Sequence, residues 1–187
     1  KNSGMYWAPL IGLFTGASMQ EILQLYVSDV RNTGGIDIID INVDGDDKKL
    51  KNTGSRRQTP VHPELKRLGF LEHVQKMRQQ GNQRLFPDMP MGSDGYYSSV
   101  YSKRFISLLV NLKVKREQNA FHSLRHNFED ACRNSGISKE IMNALQGHSE
   151  SGMSGRYGAG YSLDVLNEAM CQLEYKGLDL SHLNKMN

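Results

Sequence analysis

The sequence predicts a mainly α fold of the α+β class, in which helices surround a small three-stranded antiparallel sheet. Two observations favour it. The pattern is helical near the start of the chain and again from Pro63 onward, whereas Ile36–Ile41 has the composition of a strand. Glycine, serine and proline separate these segments and mark where one element ends and the next begins.

The first third of the chain holds two predicted helices and the sheet. Residues 5–14 are apolar enough for a buried helix, which Thr15 and Gly16 end. Residues 18–30 predict a second helix. After the Gly34-Gly35 break, residues 36–41 predict a strand, and two further short strands are expected on either side of the turn at 52–55.

The remaining two thirds predict helices joined by polar loops. Pro63 suits a first helical turn, so a helix is expected over 64–80, and residues 81–95 predict a loop. Four more helices are expected, over 97–112, 121–134, 138–146 and 162–175.

Composition places the chain among globular proteins of about one domain. It has 187 residues, of which 38% are hydrophobic and 23% charged. Neither a membrane span nor a signal peptide is found in the sequence. Cys132 and Cys171 are far apart and lack a CxxC partner, which disfavours a disulfide framework and favours a reducing cytosol. The chain opens without an initiator methionine, so we expect a fragment of a longer protein.

Basic residues occur in three clusters, although the net charge is only +3. The clusters lie at 48–51, 56–57 and 113–116, and each could reach a phosphate backbone. Taken singly, any of them could equally be ordinary solvated surface. The candidates for contacts with DNA are Lys49, Arg56, Arg57, Lys115 and Arg116.

The last third of the chain carries residues suited to phosphoryl transfer. His122 and Arg125 are three apart on one predicted helix, so their side chains share a face that can hold a phosphodiester. His148 follows a helix-ending glycine, and Tyr157 follows a small, polar stretch from which a phenol could reach a bound substrate. Tyr161 is a competing nucleophile or a core residue.

Two sequence patterns match metal sites only in part. Residues 40–45 match the first half of an EF-hand loop, but its twelfth position is Lys51 instead of a bidentate glutamate. His122 and His126 could bind zinc together with His148, yet Ser123 stands where an HExxH protease needs its glutamate. We therefore expect no metal and no cofactor.

Taken together, these motifs resemble the catalytic domain of the tyrosine recombinases, the phage-integrase family. The HSLRH motif at 122–126, the LQGH motif at 145–148 and Tyr157 carry the resemblance. Upstream, residues 13–25 resemble the TGxRxxE entry motif of the family. Residues 49–63 resemble the β-hairpin that bears its catalytic lysine. The matches run in the family's order from about residue 7 to residue 175.

The resemblance implies a mechanism and a set of roles. Tyr157 would attack the scissile phosphate to give a 3′-phosphotyrosyl link and a free 5′ hydroxyl, which a second strand's 5′ hydroxyl later reverses. Arg125 would neutralise the developing charge, and His122 and His148 would donate hydrogen bonds to it. Lys51 would protonate the leaving oxygen, with Lys49 as the fallback because the length of the hairpin varies.

The chain departs from the family pattern at Ser18, where a second catalytic arginine is expected. Serine supplies neither a cation nor a bidentate fork. It does open an S-x-x-E capping box with Glu21. Three explanations stay open: an inactivating substitution introduced into the chain, a naturally degenerate recombinase, or rescue by another basic residue such as Arg56 or Arg57.

The sequence therefore predicts site-specific DNA recombination by residues 1–187, for the integration or excision of a mobile element. The resemblance further implies that the arm and core-binding domains precede this catalytic domain in the longer protein. The partners implied are double-stranded DNA and further copies of the chain, in a tetrameric synapse. We expect a bacterial, cytoplasmic, DNA-associated enzyme. The main alternative is a DNA-binding protein that keeps the fold but no longer cuts, whereas a type IB topoisomerase fits the short domain less well.

Overall fold

The computed structural model describes residues 2–117, 120–148 and 160–183. In these ranges eight α-helices and two short 3₁₀ helices pack with a sheet of three strands. The predicted mainly α class with a small antiparallel sheet is therefore confirmed. The helices are α1 Ser3–Thr15, α2 Met19–Leu23, α3 Pro63–Arg67, α4 Phe70–Gln79, α5 Tyr97–Asn111, α6 Ser123–Asn134, α7 Lys139–Gln146 and α8 Leu163–Gln172.

The sheet has the order β1 (Val30–Thr33), β2 (Ile36–Ile41) and β3 (Arg57–Pro60), with both neighbouring pairs antiparallel. Val30 lies opposite Ile39, and Ile38 lies opposite Pro60. The predicted strand 36–41 is confirmed. The prediction of a strand on each side of the turn at 52–55 was wrong on its first side, because residues 42–56 form a long connection that contains only the 3₁₀ turn Thr53–Ser55.

The helix predicted over 18–30 is also wrong, because α2 ends at Leu23. A 3₁₀ turn, Val27–Asp29, follows, and the chain then enters β1. The Asp29 carboxylate accepts hydrogen bonds from the backbone of Tyr26 and from the Lys48 ammonium. These bonds and the pairing of β1 with β2 outweigh the local helical preference.

The helix predicted over 64–80 is two helices that meet at Gly69. Its φ of 92° lies in the left-handed region, which breaks α3 from α4. Pro63 occupies the first turn of α3, as predicted, and His62 caps that helix. The other predicted helices are confirmed to within a few residues at each end.

The core is built around α1, which is buried along most of its length and contacts α6, α2 and α3. Trp7 and Ile11 have no exposed surface. A second apolar cluster joins α6, α7 and α8 around Phe128 and Met170. This packing fixes the start of α6 beside the end of α1, where the candidate site lies. Of the helices described, none has the length and apolar character that crossing a membrane requires.

Candidate functional site

An open cleft of about 440 Å³ lies where the starts of three helices meet. Ser18 and Gln20 form the side that belongs to α2, and Ser98 and Ser102 form the side that belongs to α5. His122 and Arg125 close the cleft at the start of α6. The cleft therefore combines one fixed cation with several neutral hydrogen-bonding side chains, a composition suited to a singly charged anion.

Arg125 is fixed in the cleft by the backbone of two other elements. Its Nη1 donates to the Gly16 carbonyl at 2.9 Å, and its Nη2 donates to the Gln146 carbonyl at 3.1 Å. Burial lowers the pKa of Arg125, with the charge of Arg57 acting in the same direction. A guanidinium nonetheless stays protonated in proteins, and two of its five N–H groups are spent on these carbonyls. Among the described residues, the other three donors have no protein acceptor and can hold a ligand.

The C-terminal end of α7 is held by two arginines from different parts of the fold. Arg57 Nε donates to the Leu145 carbonyl at 2.8 Å, and Arg125 takes the carbonyl of the next residue. Cations at this end of a helix satisfy its last carbonyls and complement its dipole. Gly147 follows with a φ of 69°, and a Cβ there would lie 2.7 Å from Arg57 Nη1. A side chain there would require the Arg57 guanidinium or the Ser55 carbonyl to shift, and the next residue is His148.

Arg57 also forms a buried ion pair with Glu21. Nη1 and Nη2 of Arg57 lie 3.0 and 3.2 Å from the two Glu21 carboxylate oxygens. Burial acts to raise the pKa of Glu21, but the charge and hydrogen bonds of Arg57 outweigh it and leave that pKa below its usual value. Arg57, predicted as a DNA contact, therefore lies inside the protein with its guanidinium committed to Glu21 and to backbone carbonyls.

Ser18 is the N-cap of α2, as its sequence pattern predicted. Its Oγ accepts from Glu21 N at 3.4 Å, and Glu21 Oε2 accepts from Ser18 N at 2.7 Å. Both bonds of the capping box are therefore formed. The same carboxylate thus starts α2 and pairs with Arg57.

The two predicted histidines both lie close enough to Arg125 for its charge to act on them. His122 is the N-cap residue of α6, and its ring packs edge-on against His126 with 4.8 Å between centroids. Partial burial lowers the pKa of His122 and of His148, and the positive charge of Arg125 acts in the same direction on both. Both imidazoles are exposed and predominantly neutral near pH 7. A neutral imidazole can donate a hydrogen bond to a phosphate oxygen or accept a proton.

The lysines of the 42–56 loop have different environments. Lys48 is buried, and its ammonium donates to Asp29 at 2.6 Å and to Asn42 at 2.8 Å, which gives it a structural role. Lys49 and Lys51 are exposed on either side of Leu50, whose side chain packs against the core. Both candidate acids therefore lie on a loop and not on a strand.

The other predicted DNA contacts lie on the surface. Arg56 is about half exposed, 3.3 Å from the exposed Asp44 carboxylate. Lys115 and Arg116 follow α5, and the Lys115 ammonium contacts the Arg116 carbonyl. Tyr157 lies outside the described residues. So does the stretch that leads to it.

Sequence reasoning missed Gln146 and the serines of α5 as parts of the site. Gln146 is buried, its carbonyl holds Arg125, and its side-chain amide reaches back toward the Arg125 carbonyl at 3.5 Å. Ser98 and Ser102 enter the cleft only because α5 packs against α2. The helical spacing of Ser98 and Ser102 was the one signal available, and serines at that spacing are common on exposed helix faces.

Comparison with known proteins shows a structural likeness to solved chains. No family model matches the chain, and no curated protein matches it. The fold is similar to that of a crystal structure of the XerH site-specific recombinase bound to its difH substrate in a pre-cleavage complex, with a TM-score of 0.48 and 19% sequence identity. The likeness covers 94% of this chain and 43% of the recombinase, so the chain spans less than half of that protein.

Proposed function

We propose that the chain is the catalytic domain of a tyrosine-type site-specific DNA recombinase, which integrates or excises a mobile element. One observation carries the proposal: Arg125 is fixed by two backbone carbonyls at the wall of the cleft, near His122 and His148. A preorganised guanidinium flanked by neutral imidazoles suits the charge that develops on a phosphodiester under attack. The order of the sequence motifs gives independent support.

In the proposed reaction, the Tyr157 phenol oxygen attacks the scissile phosphorus while the bond from phosphorus to the 5′ oxygen breaks. The phenol proton leaves toward His122, and the departing 5′ oxygen takes a proton from a lysine. Attack by a second 5′ hydroxyl restores a phosphodiester and releases the tyrosine. The phosphotyrosyl bond conserves the energy of the broken bond, so the proposed cycle requires no cofactor.

Lys51 and Lys49 both remain candidates for the acid. Each is exposed on the 42–56 loop, and Leu50 between them anchors that loop in the core. The buried Lys48 is unsuited to the role because its ammonium is enclosed by Asp29 and Asn42.

Ser18 leaves the α2 side of the cleft without a cation. Loss of one preorganised donor typically lowers a rate by about 10²- to 10³-fold. Rescue by Arg57 would require it to leave the buried Glu21 carboxylate unpaired, which costs several kcal/mol. Arg56 is less constrained, since its partner Asp44 is exposed. We therefore propose that any strand cleavage by this chain is slow.

A non-cutting DNA-binding protein of the same fold is the second candidate. The complete capping box of Ser18 favours it, because residue 18 has a full structural role without any catalytic one. In either case we propose that the partner is double-stranded DNA, bound by a bacterial, cytoplasmic protein. For a cutting enzyme we propose a tetrameric synapse of identical chains.

The test is covalent capture on a nicked suicide DNA substrate taken from the sequence that flanks the encoding gene. The chain is compared with its Ser18→Arg, Tyr157→Phe and Tyr161→Phe variants. A covalent band that Tyr157→Phe abolishes and Tyr161→Phe retains supports the recombinase, whether or not Ser18→Arg strengthens it. Loss of the band in Tyr161→Phe alone would identify Tyr161 as the nucleophile. No band from any variant that still binds the DNA would favour the non-cutting protein.

A further inference from the structure

We infer that Lys49 and Tyr96 form a nucleotide-binding pair beside the cleft, which takes one unpaired nucleotide of a DNA strand. Lys49 would contact its phosphate, and the Tyr96 ring would stack on its base. The Lys49 ammonium lies 4.8 Å from the centroid of the Tyr96 ring. Basic groups beside aromatic rings are the common means of holding single-stranded nucleic acid, because every base has a π-face. This inference rests on the proposed function for its substrate.

The Tyr96 ring is exposed although its backbone is firmly held. The side chain is 43% exposed. The Tyr96 amide donates to Asp94 at 3.1 Å, and its carbonyl accepts from Gly92 N and from Ser99 Oγ, both at 2.9 Å. A large ring presented to solvent on an ordered turn loses little conformational entropy when it binds a ligand.

The backbone of Lys49 is fixed as well. Its amide donates to the side chain of Gln24 at 2.8 Å, and Gln24 is buried. Among the described residues, the close neighbours of the Lys49 ammonium are the Tyr96 ring and the Asp94 carboxylate, on which its charge acts. Lys49 is exposed, so a phosphate can reach it.

Partly buried hydrogen bonds join the two segments that carry the pair. Tyr97, next to Tyr96, donates its hydroxyl to Asp47, and Tyr26 donates to the other oxygen of the same carboxylate. The guanidinium of Arg84 lies 3.4 Å over the Tyr97 ring. Asp47 therefore ties the lysine loop to the start of α5, so the position of Lys49 relative to Tyr96 is set by the protein and not by the ligand.

The pair is also connected to the cleft. Gln24, which holds Lys49, accepts from Gln20 at 3.1 Å, and Gln20 in turn accepts from the amide of Ser98 at 3.0 Å. Gln20 and Ser98 both line the cleft. Tyr96 is joined to the cleft by Ser99, which lines the cleft and whose hydroxyl donates to the Tyr96 carbonyl. A nucleotide next to a phosphate in the cleft would therefore lie near the pair.

Strand exchange would produce such an unpaired nucleotide. After cleavage, the released end must leave its complement before it can join another duplex. A site that stacks the first freed base would hold that end near the cleft. The pair is therefore inferred to bind the unpaired strand and to contribute little to the binding of intact duplex DNA.

The test measures binding by fluorescence anisotropy, with a fluorescein-labelled single-stranded oligonucleotide and with the matching duplex. Tyr96→Ala is expected to weaken single-strand binding about tenfold and to leave duplex binding almost unchanged. Tyr96→Phe should retain affinity, because the ring and not the hydroxyl is used. Lys49→Gln should lower the slope of log affinity against log salt by about 0.7 on the single strand. Tyr96→Ala should leave that slope unchanged.

Two control variants make comparable changes at other positions on the surface. Leu178→Ala removes an apolar side chain of the same 43% exposure, and Lys76→Gln removes an exposed charge from α4. Thermal unfolding shows whether each variant is folded, and Tyr96→Leu replaces Tyr96→Ala if the latter is not. Equal losses on single strand and duplex, or single-strand binding by Tyr96→Ala as tight as that of the unchanged chain, would overturn the inference. The proposed function would survive that result, because covalent capture tests it separately.

Discussion

The Arg57 guanidinium donates to both carboxylate oxygens of Glu21, with only 6% of one side chain and 10% of the other exposed. The pair joins the start of β3 to α2. Since Arg57 also donates to the end of α7 and Glu21 also caps α2, a single buried contact ties three elements to the cleft.

Removing one member of this pair should destabilise the protein strongly. Arg57→Met leaves the Glu21 carboxylate buried without its partner, so we expect the free energy of unfolding to fall by about 3–5 kcal/mol in urea denaturation. Arg56→Met is the matched control, and its exposed pair with Asp44 should cost less than about 1 kcal/mol. The double variant Glu21→Gln/Arg57→Met should lose less than the sum of the single changes. Similar losses for Arg56→Met and Arg57→Met would refute the structural role.

Residue 18 should reveal its capping role in stability measurements. Ser18→Ala and Ser18→Arg each remove the side-chain acceptor of the capping box, so each should cost about 1 kcal/mol in the free energy of unfolding. Ser18→Asn keeps a good N-cap residue and should unfold like the unchanged chain. An arginine variant as stable as the serine chain would mean that the cap contributes nothing here.

Stability should fall as the pH drops below about 6.5, the ordinary value for histidine. Burial lowers the pKa of His62 and of His73. His62 Nε2 donates to the Leu173 carbonyl at 3.0 Å, while its Nδ1 accepts from Glu64 N at 3.0 Å, so only the neutral ring satisfies both bonds. Between the ordinary histidine pKa and the lowered pKa, the unfolded chain therefore binds more protons than the folded chain, and stability falls as the pH drops through this range. Above this range the histidines make their full contribution to the free energy of unfolding.

Urea denaturation at a series of pH values measures this dependence. His62→Asn keeps a capping acceptor and should flatten the curve between pH 6.5 and the lowered pKa. The matched control variant is His126→Asn, which removes an exposed imidazole. A curve that is equally steep in the His62 variant would exclude His62 as a cause. Protonation of Glu21 would act in a separate window, below the usual carboxylate range, because its pKa is lowered.

Tyr26 and Tyr97, which share the Asp47 carboxylate, are among the tyrosines that should ionise unusually late in an alkaline titration. The hydrogen bond to Asp47, followed by burial, raises the pKa of Tyr26 to about 12. Burial, followed by the hydrogen bond to Asp47, raises that of Tyr97 to about 12. Near-ultraviolet absorbance of tyrosinate should therefore show a late step that Asp47→Asn shifts to lower pH. Asp44→Asn, which changes an exposed carboxylate, should not shift it. Loss of stability is expected as the pH rises from about 10 toward 12.

Local rules predicted the helices well and the sheet less well. The caps at Ser18, Ser138 and Gly16 are set by residues within one turn, so sequence alone located them. The strand β1 was not predicted, and its first residue was placed in the helix 18–30, because its pairing with β2 and the contacts of Asp29 depend on residues well along the chain. Such pairing overrides a local preference of a few tenths of a kcal/mol per residue.

In the candidate site, too, features set by neighbouring residues were predicted and features set by residues far apart in sequence were not. The spacing of His122 and Arg125 predicted that both would face one ligand, and the cleft brings them together. The partner of Arg57 could not be predicted, because Glu21 is 36 residues away in sequence. The charge of Arg57 alone suggested a position on the surface, whereas its side chain is buried and has a structural role inside the protein. The role of Gln146 depends likewise on how α7 packs against α6.

Gly147 sets how closely the histidine-bearing end of α7 can approach the sheet. With no side chain at this residue, the helix end lies against the Arg57 guanidinium, and a methyl group would have to displace that guanidinium or the Ser55 carbonyl, 3.0 Å away. Gly147→Ala would therefore widen the gap between α7 and β3. A change of one carbon atom outside the cleft would move His148 away from Arg125 and alter the geometry available to an anion, even with every ligand-facing residue intact.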